Sequence, residues 1–152
     1  MTADDRAAIE RLVREYIALS TGLRLGQKRA YWDPDEPTPV LAPEEAAAPL
    51  VGWEAIERYW SGSRESIAEL RTECFDVHVN PLGPDLALAI FRQHWTATMA
   101  GRGYLAGVPL AATVRATFAL RRKADGWRIF ASVEAHVDGA EYFREVYRRR
   151  AR

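Results

Sequence analysis

A chain of 152 residues, 48% of them hydrophobic, is long enough to bury a core without disulfides or structural metals. Basic and acidic side chains balance at a formal net charge of +0, which supplies no field for nucleic acid or an anionic membrane. The one cysteine, Cys74, has no partner for an internal disulfide and no zinc-ligand spacing around it, so it reads as a small strand residue. No window approaches about 18 uninterrupted apolar residues, and the first residues lack a basic segment followed by an apolar run. The expectation is one soluble, cytoplasmic domain spanning 1–152.

Ile9, Leu12, Val13, Tyr16 and Ile17 recur at helical spacing, and Thr2 with Asp5 forms a capping-box-like start, predicting a helix from Thr2 to Thr21. Gly22 and Gly26 then punctuate. Asp33 to Pro39 is too proline-rich for a helix or central strand and reads as surface or irregular edge. Val40-Leu41-Ala42 and Pro49-Leu50-Val51 suit short edge strands around Pro43-Glu44-Glu45. Trp53, Ile56 and Trp60 mark a second helix, which Ser61-Gly62-Ser63 interrupts or ends.

From Arg71 the period becomes two. Phe75, Val77 and Val79 share one face, with Cys74, Asp76 and His78 on the other. Asn80 to Pro84 supplies a turn, and Asp85 to Met99 is apolar on both faces as far as Phe91, predicting burial on both sides. Two ladders follow, joined by Lys123-Ala124-Asp125-Gly126. Leu110, Ala112, Val114, Ala116, Phe118 and Leu120 form the first, and Trp127, Ile129, Ala131, Val133, Ala135 and Val137 the second. Their regularity puts Arg115, Glu134 and His136 on the opposite, outer face unless a β-bulge reverses the alternation. Asp138 with Glu141 caps a final helix carrying Tyr142, Phe143, Val146 and Tyr147, whose terminal arginines complement the helix dipole. Helices followed by long antiparallel strands and a short helix define an α+β class.

Three stretches carry a family likeness: the first helix with Tyr16, the segment Leu50 to Trp60 around Gly52-Trp53-Glu54-Ala55-Ile56, and Phe118-Ala119-Leu120 leading through Asp125-Gly126-Trp127-Arg128-Ile129. With the element order, the chain resembles the NTF2-like superfamily, and within it the SnoaL-like and ketosteroid-isomerase-like proteins. The resemblance implies a cone in which a curved antiparallel sheet wraps around the N-terminal helices and leaves an apolar pocket. It also implies a homodimer through the outer sheet face, and no metal or organic cofactor. The fold hosts isomerases, cyclases, dehydratases, epoxide hydrolases, oxygenase small subunits and plain binding proteins, and does not select among them.

Within that frame Tyr16 matches the tyrosine that donates to a carbonyl oxygen in ketosteroid isomerases, and Glu44 or Glu45 occupies the region of their base. The isomerases' second acid falls where this chain has Ala116. The histidine or acid that many SnoaL-like proteins place four or six residues after the last-strand tryptophan falls on Ala131 and Val133. Trp32, Phe91, Gln93, Trp95, Val114, Phe118, Ala131 and Val133 are the expected lining for a small hydrophobic ligand. Gln93 is the polar anchor if Phe91, Gln93 and Trp95 face inward; in the other register His94 takes that place. An acid/base isomerase, cyclase or dehydratase is the first functional expectation. A non-catalytic ligand-binding or assembly protein, or an oxygenase small subunit, is the alternative.

Overall fold

In the computed structural model, residues 1–101 and 106–137 are described. The expected final helix lies outside them. Helix α1 (Ala3–Ala18) starts at the box read from the sequence: Thr2 N–H donates to the Asp5 carboxylate at 2.8 Å and Asp5 N–H donates to the Thr2 hydroxyl at 3.1 Å. It ends three residues short of Thr21. A 3-10 helix over Leu25–Tyr31, which no sequence signal indicated, fills the stretch between the glycines and the proline-rich segment.

Strands β1 (Val40–Ala42) and β2 (Leu50–Val51) lead into helix α2 (Trp53–Ser66), which begins after Gly52 at φ +85°, a value that favours glycine. The helix runs through Ser61-Gly62-Ser63 rather than stopping there. Ile56 and Trp60 are buried on one of its faces, and that packing outweighs the weak helix propensity of the three residues. The long strands β3 (Ile67–Pro81), β4 (Leu86–Met99), β5 (Pro109–Lys123) and β6 (Gly126–His136) complete a curved, unclosed sheet in the order β2-β1-β6-β5-β4-β3. Only β2 is an edge at that end, because β1 pairs in parallel with β6. Ile9, Val13, Tyr16 and Ile17 of α1 pack with Ile56, Trp60, Phe91, Phe118, Leu120 and Ile129 in the core.

Two bulges decide which side chains face that core. In β3 the register shifts between Phe75 and His78, and Asp76 adopts φ +53° while pairing with Arg92. Cys74, Val77 and Val79 therefore pack against the core, and Phe75 turns outward beneath the Arg92 guanidinium; the expected grouping of Phe75 with Val77 and Val79 does not hold. In β6 the register shifts opposite Ala119 and Leu120, with Phe130 as the extra residue: Leu120 pairs with Ile129 but Ala119 with Ala131. One inserted residue moves everything after it to the other face.

The second ladder is thus broken after Ile129. Ser132, Glu134 and His136 pair with Phe118, Ala116 and Val114 of the inner face, whereas Ala131, Val133 and Ala135 face outward, Val133 at 51% exposure. Ala131 and Val133 are not ligand lining, contrary to the regular-alternation expectation. The first ladder holds from Ala112 onward: Ala112, Val114, Ala116, Phe118 and Leu120 are all buried, whereas Leu110 at its start is exposed. On β4, Phe91, Gln93 and Ala97 are buried, while Ile90 is 43% and Leu86 40% exposed. Burial on both sides is therefore absent; the outer face of β4 is open.

Candidate functional site

Seven segments converge on the concave face around Glu134. From α1 comes Tyr16, 2% exposed, its ring edge-on to Phe118 at 5.0 Å between centroids. The 3-10 helix contributes Lys28, whose ammonium sits over the Tyr16 ring, 4.5 Å from its centroid. Trp32, just after that helix, donates its indole N–H to the Tyr16 oxygen at 3.3 Å. Since the phenol oxygen accepts this bond, its own proton remains available to a ligand. Glu44 follows β1 and accepts from the Trp95 indole at 2.7 Å. Tyr59, on α2, donates to Glu45 at 2.7 Å. Phe91 and Gln93 of β4, Val114 and Ala116 of β5, and Glu134 and His136 of β6 form the sheet side.

Electrostatics separate the two carboxyl groups that meet here. Burial drives the Glu134 pKa well above the usual carboxylate range, and the hydrogen bond to Glu44 with that group's charge drives it further; Lys28 opposes both. Burial also pushes Glu44 upward, but the hydrogen bond with Glu134, its own backbone N–H, the Trp95 indole and the charge of His136 bring it below its ordinary value. The two directions favour a proton shared by the pair, with Glu134 the stronger holder of it. Tyr16 is raised by burial, with the Trp32 bond opposing and the Glu134 charge adding, so it stays a neutral donor. Tyr59 is likewise raised, by burial and then by Glu45. Lys28 is lowered to about 8 by burial, which the charges of Glu134 and Glu44 offset only in part.

The structure brings Tyr16, Glu44, Trp32, Gln93, Trp95, Phe91, Val114 and Phe118 to this interior. Glu45 is exposed and tied to Tyr59 at its rim. His94 is on the opposite face, its Nδ1 3.0 Å from the Thr113 hydroxyl, so the register with Gln93 inside is the one adopted. Glu134 and His136, expected on the outer face, lie on the concave face, with Glu134 partly buried and His136 exposed at its edge. The sequence offers one trace of this: Ile129 and Phe130 are consecutive large apolar residues in a strand that otherwise alternates, the place where an extra residue can hide. Lys28 carried no sequence signal. Inward positions now fall five and seven residues after Trp127, at Ser132 and Glu134, so an acid does reach the concave face from the last strand.

Two surface hollows lie elsewhere. One of about 400 Å³ runs along Glu69, Arg71, Thr98 and Leu110, and one of about 260 Å³ along Glu57, Trp60 and Arg64. Neither holds the buried titratable groups found around Glu134. Among the described residues no group of three or more His, Cys, Asp or Glu side chains is placed to hold a metal ion, and no helix is long and apolar enough to cross a membrane.

A curved sheet folded over helices, with polar groups gathered on its concave face, defines an NTF2-like α+β protein. The family model described as the SnoaL-like domain matches residues 9–136, and the chain belongs to that family. Similar solved structures include a protein from Streptomyces avermitilis described as a dehydratase of the NTF2-like family, at 17% identity over 90% of this chain and 99% of that one, TM-score 0.77. Another, from Novosphingobium aromaticivorans, is described as an aromatic ring hydroxylase, with 16% identity over 90% and 92% and TM-score 0.78. A ketosteroid isomerase-like protein from Erwinia carotovora atroseptica shares 19% identity over 90% and 98%, TM-score 0.71. At these identities the likeness is one of fold. No curated protein matches the chain.

Proposed function

We propose that the concave face is an acid/base site for a small hydrophobic molecule, serving an isomerisation, cyclisation or dehydration. The observation that carries this reading is the Glu134–Glu44 pair: two carboxyl groups brought together on the concave face, with burial and their mutual hydrogen bond raising the first and the Trp95 indole helping to lower the second. Such reactions remove a proton from a carbon beside a carbonyl and deliver one to an oxygen or to another carbon. Glu44 is the base of the pair, Glu134 the acid, and Tyr16 a neutral donor for developing negative charge on oxygen. The similar structures described as a dehydratase and as ketosteroid isomerase-like agree with this class of chemistry.

The test is proton exchange. Small cyclic ketones incubated with the protein in D2O should gain deuterium beside the carbonyl faster than in buffer. Glu44→Gln should slow this by about 10²- to 10⁴-fold. Equal exchange by wild type, Glu44→Gln and buffer would leave the alternative, a ligand-binding protein without turnover.

The reading includes a homodimer through the outer face of the sheet. Ile90 and Val133 are exposed there, at 43% and 51%, in a face that also carries Thr117 and Arg115. Val133→Glu should convert a dimer to a monomer in sedimentation velocity, and a wild-type protein already monomeric at micromolar concentration would rule the dimer out.

A further inference from the structure

Lys28 is one of two lysines in a chain whose Lys and Arg residues number 21. The other, Lys123, is bound at the surface to Asp35 at 2.6 Å and Asp33 at 3.1 Å. Lys28 is buried, 9% exposed, with its amine seated on the face of Tyr16. It interacts with Glu134 and Glu44 by through-space attraction and not by a hydrogen bond. Charge balance for the carboxyl pair needs only a cation, and arginine, which this chain uses at all its other basic positions but Lys123, would supply one. What lysine adds is the ability to lose its proton and become a nucleophile, which a guanidinium does not do near neutral pH. Desolvation by the apolar walls favours that form.

We propose that Lys28 captures the carbonyl carbon of an aldehyde or ketone as a Schiff base, with the Glu134–Glu44 pair moving the protons. Glu44 takes a proton from the Lys28 ammonium, and the resulting neutral amine adds to the carbonyl carbon, forming the C–N bond, while the carbonyl π pair goes to oxygen and takes the proton of Glu134. The nitrogen returns a proton to the pair. The carbinolamine C–O bond then breaks with the nitrogen lone pair closing C=N, and the hydroxyl leaves as water with that second proton. From the ammonium and the carbonyl the net products are the protonated imine and one water. The positive imine acidifies the neighbouring C–H, which Glu44 can then remove. This step rests on the acid/base reading of the same cluster and narrows its substrates to carbonyl compounds with an adjacent C–H. The apolar neighbours Phe91, Val114 and Phe118 favour a flat hydrophobic one.

The test is reductive trapping of the full-length chain with 2-naphthaldehyde and sodium cyanoborohydride at pH 7.5, read by intact mass and peptide mapping. One naphthylmethyl group should appear on Lys28 at a rate about a hundredfold above that at Lys123, whose ion pairs keep it protonated. The α-amine serves as an internal control and should label equally in every variant. Lys28→Arg and Lys28→Met should both lose the adduct while keeping the wild-type circular dichroism. Mapping needs no variant, so a folding failure in either leaves the wild-type result decisive. Labelling confined to Lys123 or the α-amine overturns the proposal. Naphthaldehyde that quenches tryptophan fluorescence saturably yet is not trapped at Lys28 overturns the covalent role and leaves the acid/base site standing. Absence of both binding and trapping, with no ketone exchange in D2O, overturns both.

Discussion

Asp33→Ala is expected to lower the unfolding free energy by about 3 kcal/mol, and the melting temperature by about 6–12 °C. The Asp33 side chain is fully buried and accepts from Arg121 at 2.7 Å, Lys123 at 3.1 Å and the backbone N–H of Asp35 at 3.1 Å. Its own N–H donates to the Ile129 carbonyl at 2.7 Å, next to the parallel bridge of Trp32 with Ile129. One carboxylate thus ties the proline-rich segment to the base of the β5–β6 hairpin, and the same segment positions Trp32 over Tyr16. Truncation removes the one buried carboxylate that both cations share and leaves a void, with Arg121 held by Glu36 at 3.3 Å and Lys123 by Asp35 at 2.6 Å. Because Arg121 keeps 38% of its side chain exposed and Lys123 26%, water relieves part of that cost, and the estimate sits at the low end for a broken buried pair.

The pH dependence separates the ion pair from mere packing. Burial pushes the Asp33 carboxyl upward, but the Asp35 N–H, Lys123 and Arg121 outweigh it and hold the group below its ordinary value. A lowered folded-state pKa gives stability that is present above the unfolded value near 4 and is lost as pH falls through the folded one. The deficit of Asp33→Ala against wild type in urea unfolding should therefore be full at pH 7 and shrink below about pH 3. An equal deficit at both would sink the electrostatic account. Asp33→Asn, which keeps an acceptor but no charge, should cost about half as much at pH 7.

How far the sequence discloses this molecule depends on what alternation can report. The capping box at Thr2, the ladder from Ala112 to Leu120 and the hairpin turn after Lys123 are local: each follows from spacing within a single element, and each stands in the structure. The site is different, because Phe130 and Asp76 each sit where a strand changes face. Past such a point the spacing is still perfect and its meaning is reversed. Ala131, Val133 and Ala135 are small enough to be tolerated on either face, so nothing in their identity protests. Glu44 could be found by its place before the Gly52 helix, but its partner Glu134 could not, and a two-carboxyl site read with one carboxyl missing loses its chemistry. Lys28 was hidden for another reason: its short 3-10 helix lacks the periodicity that marks a longer element.

At Glu134 stability and turnover should move in opposite directions. Glu134→Gln is expected to gain stability at pH 8 while ketone exchange falls about 10²-fold or more. In the unfolded chain this carboxyl ionises near pH 4.3. In the folded protein burial, followed by the hydrogen bond with Glu44 and that group's charge, keeps it protonated far above that value, against the pull of Lys28. Between the two values the folded state holds a proton that the unfolded state has released. Stability therefore declines as pH rises through this window, until the folded-state pKa is passed. Glutamine has no proton to lose, and its amide N–H can donate to Glu44 as the protonated acid does, so the variant's urea-unfolding free energy should be flatter between pH 5 and pH 8. Glu44→Gln should also flatten the wild-type slope, since it removes the charge that helps hold the Glu134 proton, but it leaves the burial contribution in place. If Glu134→Gln is instead destabilised across that whole range, Glu134 is serving as the ionised partner of Lys28. A carboxyl held in its costly protonated form by the fold, and relieved by a neutral amide that cannot pass a proton on, has its place in the concave face through chemistry and not through packing.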